Sequence, residues 1–125
     1  MSFEVSIGGL DELRARLAKL ASADQMESML TGAAQAGAMV IEGWAKVKCP
    51  VDTGFLRNSI QTESLGGGRA RVFAGAEYAI YVEYGVPSRH MGAQPYMRPA
   101  ADDHRDEVTQ AAAFQLSKAI DEAMG

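Results

Sequence analysis

At 125 residues the chain is long enough for one domain with its own core, and a single cysteine, Cys49, excludes an internal disulfide framework. The formal net charge is −4, and residues 100–125 alone carry six acidic and two basic side chains, which excludes the basic field that general nucleic-acid binders set against phosphates. No basic n-region or apolar h-region opens the chain, and the longest uncharged stretch, residues 28–41, is short for a membrane span and rich in Gly and Ala; a soluble protein of a reducing compartment is expected.

Phe3, Val5 and Ile7 alternate with Glu4 and Ser6 ahead of Gly8-Gly9, which predicts a short strand and a turn. Leu10, Leu13, Leu17 and Leu20 then make one apolar stripe of a first helix, with Arg14, Arg16 and Lys19 outside it. Asp24, with Glu27 three residues on, predicts the cap of a second helix. Its stripe is Met26, Met29, Leu30, Ala33, Gly37, Val40, Ile41, Trp44 and Val47, and Pro50 stops it. Such a helix is about 37 Å long. Its middle is Gly32-Ala33-Ala34-Gln35-Ala36-Gly37-Ala38, where the glycines weaken a helix but the small side chains let another backbone come close. That backbone is either a sheet of the same chain or a neighbouring subunit.

Residues 56–65 and 69–74 read as two strands of a β-hairpin around Gly66-Gly67-Gly68. The glycine triplet lacks the following Lys-Ser/Thr of a phosphate-binding loop and opens no helix, so it reads as a turn. Tyr78-Ala79-Ile80-Tyr81-Val82-Glu83-Tyr84-Gly85 reads as a short helix ended by Gly85, followed by a long connection over residues 86–95. Pro99 opens a last helix, with Asp102, Asp103, Asp106 and Glu107 in its first turns, where the helix dipole favours them. That helix presents Val108, Ala112, Leu116, Ala119, Ile120 and Ala123 on one stripe and Phe114 on the other side, a possible oligomer contact. Together the pattern predicts a single α+β domain over residues 1–125: a long central helix and a C-terminal helix packed on a small antiparallel sheet with a β-hairpin.

Asp52-Thr53-Gly54 is the triplet of retropepsin-type aspartic proteases, in which two chains each give one carboxylate to a proton-sharing dyad. Those enzymes are nearly all β, whereas helical patterns cover roughly half of this chain, so a turn after the long helix is the better reading. His90 and His104, with Asp102 and Asp103, match no metal-ligand spacing and read as solvent-exposed. Cys49 sits in no Cys/His motif and reads as a small buried or half-buried thiol rather than a nucleophile. Arg57, Arg69, Arg71, Arg89 and Arg98 read as parts of solvated faces, with contact to an acidic neighbour as the sharper alternative. No catalytic set, cofactor site or metal site is expected.

Three segments stand in fixed order: Pro50-Val51-Asp52-Thr53-Gly54-Phe55-Leu56-Arg57-Asn58-Ser59-Ile60, the Tyr78-to-Gly85 segment given above, and Gln94-Pro95-Tyr96-Met97-Arg98-Pro99-Ala100. The ordered trio resembles a family of small tail-component and head–tail joining proteins of long-tailed, lambda-like phages and prophages. Members typically carry Thr after the glycine at position 85, where this chain has Val86. The resemblance implies a structural virion protein, made in the bacterial cytoplasm. It implies a homo-oligomer ring that completes the tail or neck and joins the tail to the capsid connector. Connector or neck proteins and the tail tube protein are then the partners, and DNA passes through without specific binding. An assembly adaptor or chaperone that does not enter the particle is the alternative. Asp52, Thr53, Gly54, Leu56, Arg57, Tyr78, Tyr81, Glu83, Gly85, Pro95, Arg98 and Pro99 are the motif positions expected to serve the fold or an interface.

Overall fold

A computed structural model describes residues 1–7, 15, 16, 18, 19, 21–50 and 54–124. The fold is α+β, as expected. Strands β1 (Ser2–Ser6), β2 (Ile60–Gly66) and β3 (Arg69–Ala74) form an antiparallel sheet in the order β1-β3-β2. Phe3 and Thr62 flank Val72, and Val5 and Ser64 flank Ala70, so one sheet face collects Phe3, Val5, Ile60, Ala70, Val72 and Ala74. The opposite face is polar: Glu4, Arg71 and Glu63 stand in one cross-strand row, and Arg71 Nε donates to Glu63 Oε1 at 2.8 Å. At the hairpin turn Gly66, Gly67 and Gly68 take φ of 74°, 61° and 75°, a left-handed run that side chains rarely adopt.

The long helix, α1 (Ala23–Lys48), lies across the inner sheet face. Ser22 caps it, accepting from the Gln25 backbone N–H while the Gln25 side chain accepts from the Ser22 N–H. The capping box is therefore two residues earlier than Asp24 and Glu27 suggested. Asp24 occupies the first turn instead, and Glu27 Oε1 accepts from Gly67 N–H at 3.0 Å, tying the hairpin to the helix. Thr31 Oγ1 does the same for Gly68 N–H at 2.9 Å.

Small residues make this packing close. Ala34 and Ala38 lie on Ala70 of β3 with Val5 and Ile7 beside them. A Cβ on Gly37 would stand 3.1 Å from Val108 Cγ1 and 3.4 Å from Val5 Cγ1. The Ala/Gly seam is thus consumed within the chain, by the sheet on one side and the C-terminal helix on the other. Val47, expected on the buried stripe, is exposed, because the buried face of α1 runs through Ile41 and Ala45 to Cys49 and position 47 lies on the other side of the helix.

Three further expectations are corrected. Strand β2 begins at Ile60 rather than Leu56: residues 55–58 make one helical turn, α2 (Phe55–Asn58), which buries Leu56 and leaves Arg57 exposed. The helix expected from Pro99 is two helices, α4 (Met97–Asp102) and α5 (Arg105–Met124), separated by a turn at Asp103-His104. Pro99 lies in the first turn of α4, where its missing N–H leaves no intrahelical bond unmade. Of the α5 stripe only Ala112 is fully buried; Val108, Leu116, Ala119 and Ile120 are half-buried and Ala123 is exposed.

Trp44 meets His104 and Glu107, Gly37 meets Val108, and Ala33 shares a groove with Ala112 and Leu116, so α5 runs antiparallel to α1. The Leu10, Leu13, Leu17 and Leu20 stripe lies outside the described residues; Arg16 and Lys19, its expected polar companions, are exposed. Among the described residues no helix is long and apolar enough to cross a membrane.

Candidate assembly surface

Beyond Ala74 the chain forms the short helix α3 (Ala79–Tyr84), as expected for the segment ended by Gly85. Gly85 has φ 77°, and a Cβ there would fall 2.7 Å from both Ala93 N and Met91 O. Both conformation and space demand glycine. The following residues fold back: Val86 and Met91 exchange backbone hydrogen bonds of 2.8 and 3.1 Å around a 3₁₀ turn at Pro87–Arg89. Gln94 N–H then donates to Val82 O at 2.8 Å.

Glu83 is the only polar or charged side chain among the described residues that is fully buried, at 0% exposure. Its Oε1 accepts from Met97 N–H at 2.7 Å and from Tyr96 N–H at 3.2 Å. Its Oε2 accepts from Arg98 Nε at 3.1 Å. Arg98 also donates through a guanidinium NH2 to the Glu83 carbonyl at 3.3 Å and lies 4.3 Å over the Tyr84 ring. The carboxylate therefore satisfies orphan donors at the start of α4 and is itself neutralised by Arg98. Tyr96 O–H donates to Ala79 O at 3.3 Å, and burial holds its phenol well above the usual tyrosine range. Two of the three ordered segments are thus fastened to each other through Glu83.

The first segment joins them from outside. Gly54, at φ 82°, precedes α2, Leu56 is buried against the core, and Phe55 stacks on Tyr78 with ring centroids 6.1 Å apart. Asp52 and Thr53 lie outside the described residues. The outward faces of these segments carry Phe55, Tyr78, Tyr81 and Tyr84, and Met91 joins them from the connection after Gly85; all are exposed. Tyr78, Tyr81, Val82, Val86, Arg89 and Met91 line a groove of about 480 Å³, and Tyr78, Val82 and Met91 continue into a second of about 310 Å³ with Pro50 and Leu56. Pro95 is exposed, and so is Phe114, on the far side of α5 from its apolar stripe. An exposed apolar cluster of this kind, held on a rigid frame, suits protein contact.

The five arginines do not gather into one patch. Arg69 pairs with Glu4 at 3.6 Å, Arg71 with Glu63 and Arg98 with Glu83, while Arg57 and Arg89 are exposed at the aromatic end. Cys49 is buried and free, as expected; burial raises its thiol pKa, partly opposed by the Arg57 guanidinium. His90 is exposed, but the exposure expected of His104 is not found. His104 stacks on Trp44 at 4.0 Å, its Nδ1 is 3.5 Å from Glu107 Oε2, and Trp44 Nε1 donates to the same oxygen at 2.7 Å. That cluster pins the start of α5 to α1. Its sequence signal is weak, because Trp44 lies 60 or more residues from both partners.

The chain matches the family model described as "Bacteriophage HK97-gp10, putative tail-component" over residues 11–85. It belongs to this family of phage tail components. The match takes in the first two ordered segments, and the third, residues 94–100, follows it in the chain. No match was found among curated proteins or among solved structures.

Proposed function

We propose that this tail component works at the head–tail junction, as a ring that completes the tail or neck and joins it to the capsid connector. The observation that carries the reading is the Glu83 junction. It fixes the second and third segments into one frame, in which Tyr96 of the third is buried and Tyr78, Tyr81 and Tyr84 of the second face outward. A conformationally fixed apolar surface is what a permanent joint requires, because little ordering cost is left for the moment of assembly. Connector or neck proteins on one side and the tail tube protein on the other are the proposed partners. The net charge of −4 suits a ring whose opening DNA crosses without adhering.

Disruption of the gene in the producing phage tests this. DNA-filled heads and separate tails should accumulate, and purified wild-type virions should contain the chain. Joined, infectious particles made without it would overturn the reading. Unjoined particles from the mutant, with no chain in wild-type virions, would assign it instead to an assembly adaptor that leaves before completion.

A further inference from the structure

We infer that copies of this chain join head to tail, the aromatic end around Tyr81 and Arg89 of one copy seating on the α5 face around Phe114 of the next. The inference rests on the ring proposed above and names the surfaces that build it.

Two observations point to a second copy as the occupant. The first is charge. The aromatic end sets Arg57, Arg89 and Arg98 against two carboxylates, the exposed Glu77 and the buried Glu83. Arg98 is committed to Glu83, but Arg57 and Arg89 have no ion-pair partner among the described residues. The turn at Asp103-His104 and α5 carry Asp103, Asp106, Glu107, Asp121 and Glu122 against Arg105 and Lys118, with Asp102 at the end of α4 beside them. Arg105 is already bonded to Asp102 at 3.4 Å. A cationic aromatic end and an acidic helix on one chain attract each other between copies.

The second observation is placement. The aromatic end lies beyond the C-terminus of α1, next to Pro50. Helix α5 runs back along α1 toward its N-terminus, so Phe114 and Asp121 lie progressively farther from that end. Phe114 is 71% exposed and Tyr81 55%, so each offers an apolar anchor; Arg89 shares the groove of Tyr81, and Asp121 lies two helical turns beyond Phe114. Two different surfaces set apart on one chain make a heterologous contact, the type that does not stop at a dimer and forms a ring when the rotation between neighbours closes.

The test pairs two substitutions at exposed positions, Tyr81→Asp and Phe114→Asp, in the full chain, with helical content checked by circular dichroism. Sedimentation velocity reads the assembly state. Wild type should self-associate with concentration. Each variant alone should associate at least about tenfold more weakly. An equimolar mixture should give a 1:1 pair, because one intact aromatic end then meets one intact α5 face. Wild-type-like assembly by Phe114→Asp, or a mixture that stays monomeric, would overturn the inference and leave the ring reading standing on other surfaces. A wild-type chain that remains monomeric at every concentration, alone and with tail tubes, would overturn both.

Discussion

Ala33, Ala34, Gly37 and Ala38 lie buried in the middle of α1, whereas Tyr78, Tyr81 and Tyr84 stand exposed beyond its C-terminal end. Both regions invite docking by their composition, one through small side chains that admit a close backbone, the other through aromatic area. The chain itself fills the first with β1, β3 and α5. It leaves the second open while locking the backbone beneath it through Glu83. Close packing within a chain and packing between chains obey the same physics. What separates them is whether the sequence also supplies the covering element. Here Val5, Ala70 and Val108 cover the small-residue seam, while the tyrosines stay exposed with only Phe55 against Tyr78 and Arg98 over Tyr84.

If the aromatic end depends on the buried carboxylate for its shape, Glu83→Ala should have the largest effect. The change strands the Tyr96 and Met97 N–H groups in a buried site and releases Arg98. A loss of about 3 kcal/mol in urea unfolding is expected, since each stranded buried donor costs about 1–3 kcal/mol. Glu83→Gln should recover part of it, because one carbonyl oxygen can still accept. An unchanged midpoint for Glu83→Ala would break the link between the frame and the surface it carries.

The small-residue seam should respond next. Gly37→Leu must place its side chain where Val108 Cγ1 and Val5 Cγ1 already stand, so α5 has to lift from α1. Overpacking of this kind costs about 1–3 kcal/mol. Gly32→Ala, with open space at its Cβ, should instead be neutral or stabilise by up to about 1 kcal/mol as a helical residue. Equal responses at positions 32 and 37 would mean that the seam is not closely packed.

The Cys49 thiol gives a smaller, pH-dependent signal at the border of the two regions. Its folded pKa is raised, chiefly by burial, so the folded state holds the thiol proton more tightly than the unfolded state. The stabilisation is complete below the ordinary thiol range and fades as pH rises through the raised value. Cys49→Ser should flatten the alkaline limb of the stability–pH curve. Alkylation of native Cys49 should also lag that of the unfolded chain until that same limb is reached.

The contrast between the regions also shows what the residues alone could convey. Strand alternation at Phe3 and Val5, the small-residue face of α1, the Gly66-Gly67-Gly68 turn and the Gly85 stop were legible because each is a local pattern. The split between α4 and α5 was not. Asp102, Asp103, Asp106 and Glu107 read as one helix start, and the turn at His104 is set by its stack on the distant Trp44. Ser22 was missed as the cap because Asp24 with Glu27 shows an equally good capping spacing. The ordered segments could be singled out as motifs, but which of their residues face inward depends on contacts between segments. Glu83 looked like one polar residue among tyrosines, and its Oε1 is occupied by backbone donors thirteen and fourteen positions away.

The smallest expected effect is the most direct test of the open region. Tyr81 is 55% exposed, and none of the hydrogen bonds of the Glu83 junction passes through its side chain. Tyr81→Ala should therefore change stability by about 0.5 kcal/mol or less, as surface substitutions usually do. A matching thermal melt, together with weakened self-association, would assign the ring to docking. A Tyr81→Ala chain destabilised as strongly as Glu83→Ala would show the reverse: the tyrosine would be holding α3 in place, and the aromatic end would be part of the frame rather than a surface offered to a neighbour.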